Sequence, residues 1–245
     1  MRSVTSRAVE IFIVEYFLII MAMMSVPPPE AFSKNSSAAA SAGRIMAKQS
    51  SSMISSVSGC AIGNSFSQDA TRYLKQIGDS ALTDLYVVNL YIGGCPLERH
   101  ADNARADRAA YAYERGGVPS NRTVSIREAL EERPWDVVTV QQASHDSGMP
   151  ETYEPYGTEL LDYVRRYAPQ AKIYFHMTWA YETDSTHDAF PRYHRDQQEM
   201  YRRICQATEA FTAAHDLPVI PAGKVIQALR QTPEFDYAHG GMSLN

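Results

Sequence analysis

From residue 57 onward, the hydrophobic and polar positions follow two different periods. Short runs of β-branched and aromatic residues are typical of buried strands, and they recur along the chain. Between them, apolar residues return every three or four positions, which is the spacing of one helix face. The predicted strands cover residues 57–62, 85–92, 135–142, 171–179 and 217–223. The predicted helices cover residues 69–77, 97–115, 126–133, a segment around 160–164, 195–214 and a last segment ending near 229.

Strands that alternate with helices predict an α/β fold, in which a parallel sheet is covered by helices on both faces. We therefore expect a three-layer sandwich with a five-stranded parallel sheet. In such sheets ligands bind beyond the carboxyl ends of the strands, so polar residues directly after a strand are the candidates for function.

The first 55 residues have a different pattern. Arg2 and Arg7 precede an apolar run that ends at three prolines, and residues 1–30 resemble a signal peptide or a short membrane anchor. Glu10 and Glu15 weaken that interpretation, and a disordered leader or a misassigned start is the alternative. Residues 31–55 are rich in Ser and Ala and predict a disordered linker, which leaves 56–245 as the folded domain. The leader favours export to the periplasm or cell envelope, with a cytoplasmic location as the alternative.

Charge and cysteine content exclude several classes of function. The 245 residues carry a net charge of −5 from 23 basic and 28 acidic residues, without a basic patch that would indicate a nucleic-acid partner. Cys60, Cys95 and Cys205 are widely spaced and show neither a disulfide framework nor zinc-ligand spacing. We therefore expect reduced thiols, no metal and no cofactor, and no stable membrane partner once the leader is removed.

Four predicted strands end in polar or glycine-rich segments. Acyl transfer requires an activated hydroxyl, a base and fixed donors for an oxyanion, and these segments contain such groups. Glycines at a strand end also allow backbone N–H groups to approach an anion closely. The segments are Gly63-Asn64-Ser65-Phe66-Ser67, Gly93-Gly94-Cys95 after Asn89, Gln141-Gln142-Ala143-Ser144-His145-Asp146, and His176-Met177-Thr178-Trp179.

These motifs resemble the conserved blocks of the SGNH (GDSL-type) hydrolases. The first block of that superfamily is Gly-Asp-Ser, and here Asn64 replaces the Asp. The second is a strand ending in a glycine, which Gly94 matches. The third is Gly-x-Asn-Asp, for which this chain has Ala143 and His145 at the first and third positions and retains Asp146. Together the motifs resemble a bacterial branch filed as a domain of unknown function, over residues 57–245.

The resemblance implies a flavodoxin-like fold with Ser65 as nucleophile. It also implies an oxyanion hole formed by the Ser65 N–H, the Gly94 N–H and a side chain of the third block. His145 or Gln142 could supply that last donor, although His145 could also be a loop histidine and Gln142 a structural residue. The further candidates for oxyanion or substrate binding are Asn64, Gly93 and Trp179. For Trp179 the two alternatives are stacking on a sugar face and packing in the core of its loop.

The superfamily places its base in a late Asp-x-x-His block, which Asp236 and His239 match literally. The alternative is that the chain ends before its own block. Ser125, with Glu128 three residues on, predicts a capping box at the start of the helix over 126–133. Ser67 or Asp69 could cap the helix after Ser65, and His100 is expected to face solvent.

The resulting hypothesis is a serine ester hydrolase for small acyl esters, including O-acetyl groups on carbohydrate. The alternatives are a non-catalytic carbohydrate-binding relative and an acyltransferase on the same scaffold. In each case the expected partner is a small-molecule or carbohydrate ester.

Overall fold

The computed structural model describes residues 56–81 and 83–231, so the predicted leader, the linker and the Asp236–His239 block lie outside it. The strands are β1 (Ser56–Gly63), β2 (Asp84–Tyr91), β3 (Tyr111–Arg115), β4 (Val118–Val124), β5 (Val137–Val140), β6 (Lys172–His176) and β7 (Val219–Ile220). The α-helices are α1 (Ser65–Thr71), α2 (Leu74–Ser80), α3 (Leu97–Arg105), α4 (Ile126–Glu131), α5 (Tyr156–Tyr167), α6 (Gln197–His215) and α7 (Ala222–Leu229). Short 3-10 helices cover Pro150–Thr152 and Phe190–Tyr193.

The strands form one sheet in the order β4-β3-β2-β1-β5-β6-β7, flanked by helices. β1, β5, β6 and β7 pair in parallel, whereas β2, β3 and β4 pair antiparallel. The predicted α/β class is therefore confirmed, but the sheet is mixed and has seven strands instead of five parallel ones. β1 lies between β2 and β5, which places its carboxyl end beside both of theirs.

The two additional strands are β3, which lies in a segment that we predict to be helical, and β4, which lies between two predicted helices. The predicted helix over 97–115 ends at Arg105, and Tyr111–Arg115 is a strand. Tyr111 and Tyr113 are buried while Ala112 is exposed, which is the two-residue alternation of a strand. Pairing with β2 overrides the helical spacing of the alanines, because it buries both tyrosine rings.

A buried carboxylate joins β3 to the rest of the sheet. Glu114 pairs in register with Asn89 of β2 and is only 4% exposed. Its two oxygens accept from the side-chain amides of Asn89, at 2.7 Å, and Gln68 of α1, at 2.5 Å. A buried carboxylate is tolerated when it is hydrogen-bonded in this way, so the hairpin is tied to the helix that starts at Ser65.

The main core lies around the central strands, whose side chains are buried in continuous runs. Ile62, Val88, Leu90 and Val138 are fully buried, as is typical of strands covered on both faces. Helix α5 packs against this cluster through Leu160, Leu161 and Val164, which are also its predicted apolar face. Within the part of the chain that the structure describes, no helix is both long and apolar enough to cross a membrane.

The predicted N-terminal cap of helix α4 is confirmed. Ser125 Oγ accepts from the Glu128 N–H at 3.2 Å, and Glu128 Oε2 accepts from the Ser125 N–H at 2.6 Å. This reciprocal pair is a capping box, which satisfies two backbone donors at the helix start. The indole of Trp135 donates to Ala129 O at 2.9 Å and so joins the same helix to the start of β5.

We expect Ser125→Ala to lower the free energy of unfolding by about 1 kcal/mol, because the Glu128 N–H loses its acceptor. Urea denaturation of the full chain measures the change. Ser125→Asn is the matched control, since Asn is an equally good N-cap, and it should retain the wild-type stability. Equal losses in the two variants would contradict a role for the cap.

Candidate active site

Glycine at position 63 allows the first strand to end close to its neighbours. A Cβ at this position would lie 2.6 Å from Ser67 Oγ and 2.7 Å from Cδ of Gln141, so a larger residue would displace both. Ser65 follows as the first residue of α1 and is partly exposed. The structure therefore places Ser65 at the carboxyl end of a central strand, where a parallel sheet binds its ligands.

Asn64 caps the helix that carries Ser65. Its Oδ1 accepts from the Phe66 N–H at 3.2 Å, and its Nδ2 donates to Cys95 O at 3.1 Å. The expectation that Ser67 or Asp69 caps this helix is wrong, because Ser67 Oγ instead donates to Asn64 O at 2.9 Å. A side-chain amide donates and accepts at the same time, which a carboxylate at this position could not do.

The glycine-rich segment after β2 lies directly beside this strand end. Ile92 N–H donates to Gly63 O at 3.2 Å, and a turn closed by Cys95 N–H to Ile92 O at 3.3 Å follows. Gly94 has a φ of +60°, a left-handed conformation that favours glycine. Asn64 holds the end of this turn through Cys95 O, so one side chain fixes both the start of the Ser65 helix and the glycine loop.

Gln142 is fully buried, and both ends of its side chain bond within the protein. Its Oε1 accepts from Leu97 N–H at 2.9 Å and from Ala143 N–H at 2.8 Å. Its Nε2 lies 3.2 Å from Thr152 O and 3.1 Å from Thr152 Oγ1. This arrangement favours the structural alternative for Gln142, in which it holds the segment that follows the glycine loop.

A buried hydrogen-bond chain links Asn64 to the end of β6. Gln141 Nε2 donates to Asn64 Oδ1 at 2.5 Å, and Gln141 Oε1 lies 3.0 Å from Nδ1 of His176. Cys95 O can only accept and Phe66 N–H can only donate, so these two groups fix the orientation of the Asn64 amide. It follows that Gln141 presents its oxygen to His176, and that the neutral imidazole carries its proton on Nδ1.

Burial keeps this imidazole neutral, because it lowers the pKa of His176 to about 4. The chain Cys95–Asn64–Gln141–His176 therefore crosses the ends of four neighbouring strands through uncharged groups. No local sequence pattern predicts the hydrogen bond between Asn64 and Gln141, since the two residues are 77 positions apart.

His145 lies in a loop whose backbone is bonded by Arg192 and Tyr193. Its ring Nε2 is 3.4 Å from Asp146 Oδ2, and the imidazole is about one-third exposed. Arg192 donates to His145 O at 2.9 Å and to Asp146 Oδ1 at 2.7 Å, and Tyr193 OH donates to His145 O at 3.1 Å. The backbone of the third block is thus fixed by the 3-10 helix at Phe190–Tyr193.

Trp179 is buried, and its ring meets the Phe66 ring edge-on with 4.4 Å between the centroids. It therefore supports the residue next to Ser65, which favours packing over exposure of a face to a sugar. Tyr153 is buried as well, and its hydroxyl donates to Ser147 O at 2.7 Å.

The expectation that His100 faces solvent is wrong. His100 is fully buried beneath the glycine loop, where its Nδ1 lies 2.9 Å from Tyr111 OH and 3.6 Å from Cys95 Sγ. Burial lowers the pKa of His100 to about 3 and raises that of Cys95 to about 12, so both groups are neutral at pH 7. Tyr111 belongs to β3, a strand that the sequence pattern does not predict, so the contact between Tyr111 and His100 could not be foreseen.

The three cysteines are free thiols, as predicted. Over residues 56–81 and 83–231, no group of three or more His, Cys, Asp or Glu side chains is arranged to hold a metal ion.

Comparisons with known proteins agree with the motifs and the fold. A family model described as DUF4886, a domain of unknown function, matches residues 59–245. A DUF4886 family protein from Bacteroides uniformis is 36% identical, with a TM-score of 0.68, over 71% of this chain and 70% of that one. A protein from Slackia heliotrinireducens, proposed to be an SGNH hydrolase, is 16% identical with a TM-score of 0.50, over 71% and 83%. No curated protein matches the sequence.

Acid should destabilise the protein through His176. Its folded pKa lies below the ordinary value of about 6.5, so between these values the unfolded chain binds a proton that the folded protein excludes. The stabilising effect of the neutral ring is complete above about pH 6.5 and is lost as the pH falls toward 4.

We therefore expect His176→Gln, which can still donate to Gln141 but does not titrate, to reduce the loss of stability between pH 8 and 4.5 by about 2 kcal/mol. Urea denaturation of both proteins across this range measures the difference. Their stabilities should differ by a constant amount above pH 7. Identical pH dependences would show that His176 does not titrate as a buried neutral group.

Proposed function

This chain belongs to the DUF4886 family and has the fold of the SGNH hydrolases, and on that premise we propose that it is a serine ester hydrolase with Ser65 as nucleophile. The observation that carries the proposal is the Asn64 side chain, which bonds both Phe66 N–H and Cys95 O. A hydroxyl at the start of α1 and a glycine loop after β2 are thereby held side by side. Acyl transfer requires this combination of a nucleophile and fixed donors.

In the proposed reaction, Ser65 Oγ attacks the carbonyl carbon of the ester while its proton passes to a base. The carbonyl oxygen becomes an oxyanion that accepts from the Ser65 N–H and the Gly94 N–H. The tetrahedral intermediate then collapses, and the alcohol leaves with the proton that the base returns. Water next attacks the acyl-serine with the help of the same base, which releases the acid and restores the Ser65 hydroxyl.

We propose His239 as that base, with Asp236 orienting it, because the two match the Asp-x-x-His block of the resembled superfamily. The proposed substrates are small acyl esters, including O-acetyl groups on carbohydrate. An acyltransferase would use the same donors with a sugar hydroxyl in place of water, and product analysis with a sugar acceptor distinguishes the two reactions.

Ser65→Ala should abolish covalent labelling of the full chain by a fluorophosphonate, because the probe is captured by an activated serine hydroxyl. Mass spectrometry of the labelled protein locates the adduct. Ser80→Ala, which removes an exposed serine at the end of α2, should label like the wild type. A folded wild-type protein without an adduct on Ser65 would contradict the proposal and favour the non-catalytic binding relative.

Gly94→Ala should lower kcat for an aryl acetate at least tenfold, because a non-glycine residue at φ +60° strains the turn that presents the Gly94 N–H, and one oxyanion donor contributes about 10²–10³ in kcat. Steady-state kinetics measures the change.

Gly116→Ala is the matched control. Gly116 has a φ of +58°, and a Cβ there would contact only the Lys75 side chain, at 3.6 Å or more. It carries the same backbone strain in the β3–β4 hairpin, so its unfolding free energy should fall while kcat stays at the wild-type value. Equal effects of the two substitutions on kcat would point to general destabilisation.

A further inference from the structure

One hydroxyl in the third block has a proton whose direction is fixed by its neighbours. Ser144 is partly buried in the loop after β5, and its Oγ lies 3.0 Å from Tyr181 OH. Tyr181 OH also lies 3.4 Å from Nε2 of His187, whose ring stacks on the Tyr181 ring with 4.5 Å between the centroids. These three side chains form the Ser144–Tyr181–His187 relay.

A backbone group sets the direction of the relay. Ala189 N–H donates to Nδ1 of His187 at 3.1 Å, so the neutral imidazole carries its proton on Nε2 and donates toward the Tyr181 oxygen. Burial raises the pKa of Tyr181 to about 12, so the phenol keeps its proton and donates it to Ser144. The Ser144 proton must then point elsewhere, and no atom within residues 56–81 and 83–231 accepts it.

Two members of this relay, Ser144 and Tyr181, are close in sequence to residues that contact the neighbours of Ser65. Ser144 lies three positions after Gln141, which bonds Asn64, and three residues span at most about 10 Å. Tyr181 lies two positions after Trp179, whose ring packs against Phe66. Ser144 and Tyr181 thus lie within three positions of side chains that contact Asn64 and Phe66, the two neighbours of Ser65 in the chain.

The other side chains of the third block are engaged elsewhere. Gln142 bonds Leu97, Ala143 and Thr152, so both the oxygen and the nitrogen of its amide already have partners. His145 directs Nε2 at Asp146 Oδ2, and its backbone carbonyl accepts from Arg192 and Tyr193.

We propose that the Ser144 hydroxyl is the third donor of the oxyanion hole, beside the Ser65 and Gly94 N–H groups, and that Tyr181 and His187 orient it. This inference rests on the proposed function, since it assigns a donor to the same reaction. The ligand is the carbonyl oxygen of the ester as it gains negative charge. A donor that is already oriented costs no reorganisation when that charge forms, and it therefore acts on kcat more than on KM.

The test is steady-state hydrolysis of 4-nitrophenyl acetate by the full chain and its variants. Ser144→Ala should lower kcat about 100-fold with KM within about threefold, the pattern expected when a transition-state donor is removed. Ser144→Thr keeps the hydroxyl and should retain kcat within about tenfold of wild type. Tyr181→Phe leaves the Ser144 hydroxyl unoriented and should lower kcat about tenfold.

Tyr153→Phe is the matched control, because it also removes a buried phenol hydroxyl that bonds this loop, at Ser147 O, outside the relay. Its kcat should stay within about threefold of wild type. An unchanged kcat in Ser144→Ala, a rise in KM alone, or equal losses in Tyr153→Phe and Tyr181→Phe would each overturn the inference. A wild-type protein that neither hydrolyses the ester nor forms the Ser65 adduct would instead remove the proposed function, and this inference with it.

Discussion

The geometry of the site depends on the amide of Asn64, which has to donate and accept at once. Its oxygen takes the Phe66 N–H and the Gln141 amide, while its nitrogen holds Cys95 O. A carboxylate at this position could take the first two bonds but would face the Cys95 carbonyl with a second acceptor. Asn64 stands where the resembled Gly-Asp-Ser block has Asp. This difference fits the structure, because the glycine loop presents the Cys95 carbonyl, which needs a donor.

Two glutamines at the end of β5 also help to hold the glycine loop that follows β2. Gln141 and Gln142 are consecutive at the end of β5, and they reach in different directions, one to Asn64 and the other to Leu97. The amide of Asn64 thus holds the glycine loop at Cys95, and the amide of Gln142 holds the first residue of the helix that follows, Leu97. Gln142, which is a candidate oxyanion donor in the sequence, instead supports the backbone at Leu97, and Gln141 supports the side chain of Asn64.

Much of the fold could be predicted because strands and helices each have a local period. β1, β2, β5 and β6 and the long helix α6 follow directly from such patterns, as does the cap at Ser125. The hairpin β3–β4 could not, because the alanines before Tyr111 return at helical spacing and only pairing with β2 reveals the strand. The burial of His100 could not be predicted for the same reason, since its partner Tyr111 belongs to that hairpin.

Within the site, residues of the first and second blocks could be placed from sequence because each block is contiguous with a strand end. The contacts among blocks could not, since Asn64 and Gln141, or Ser144 and Tyr181, share no local pattern. The groups that join the four strand ends are amides, a backbone carbonyl and a neutral imidazole, without a net charge among them. Dissolved ions screen charges far more than short contacts between buried dipoles, so the alignment of these strand ends should be independent of ionic strength.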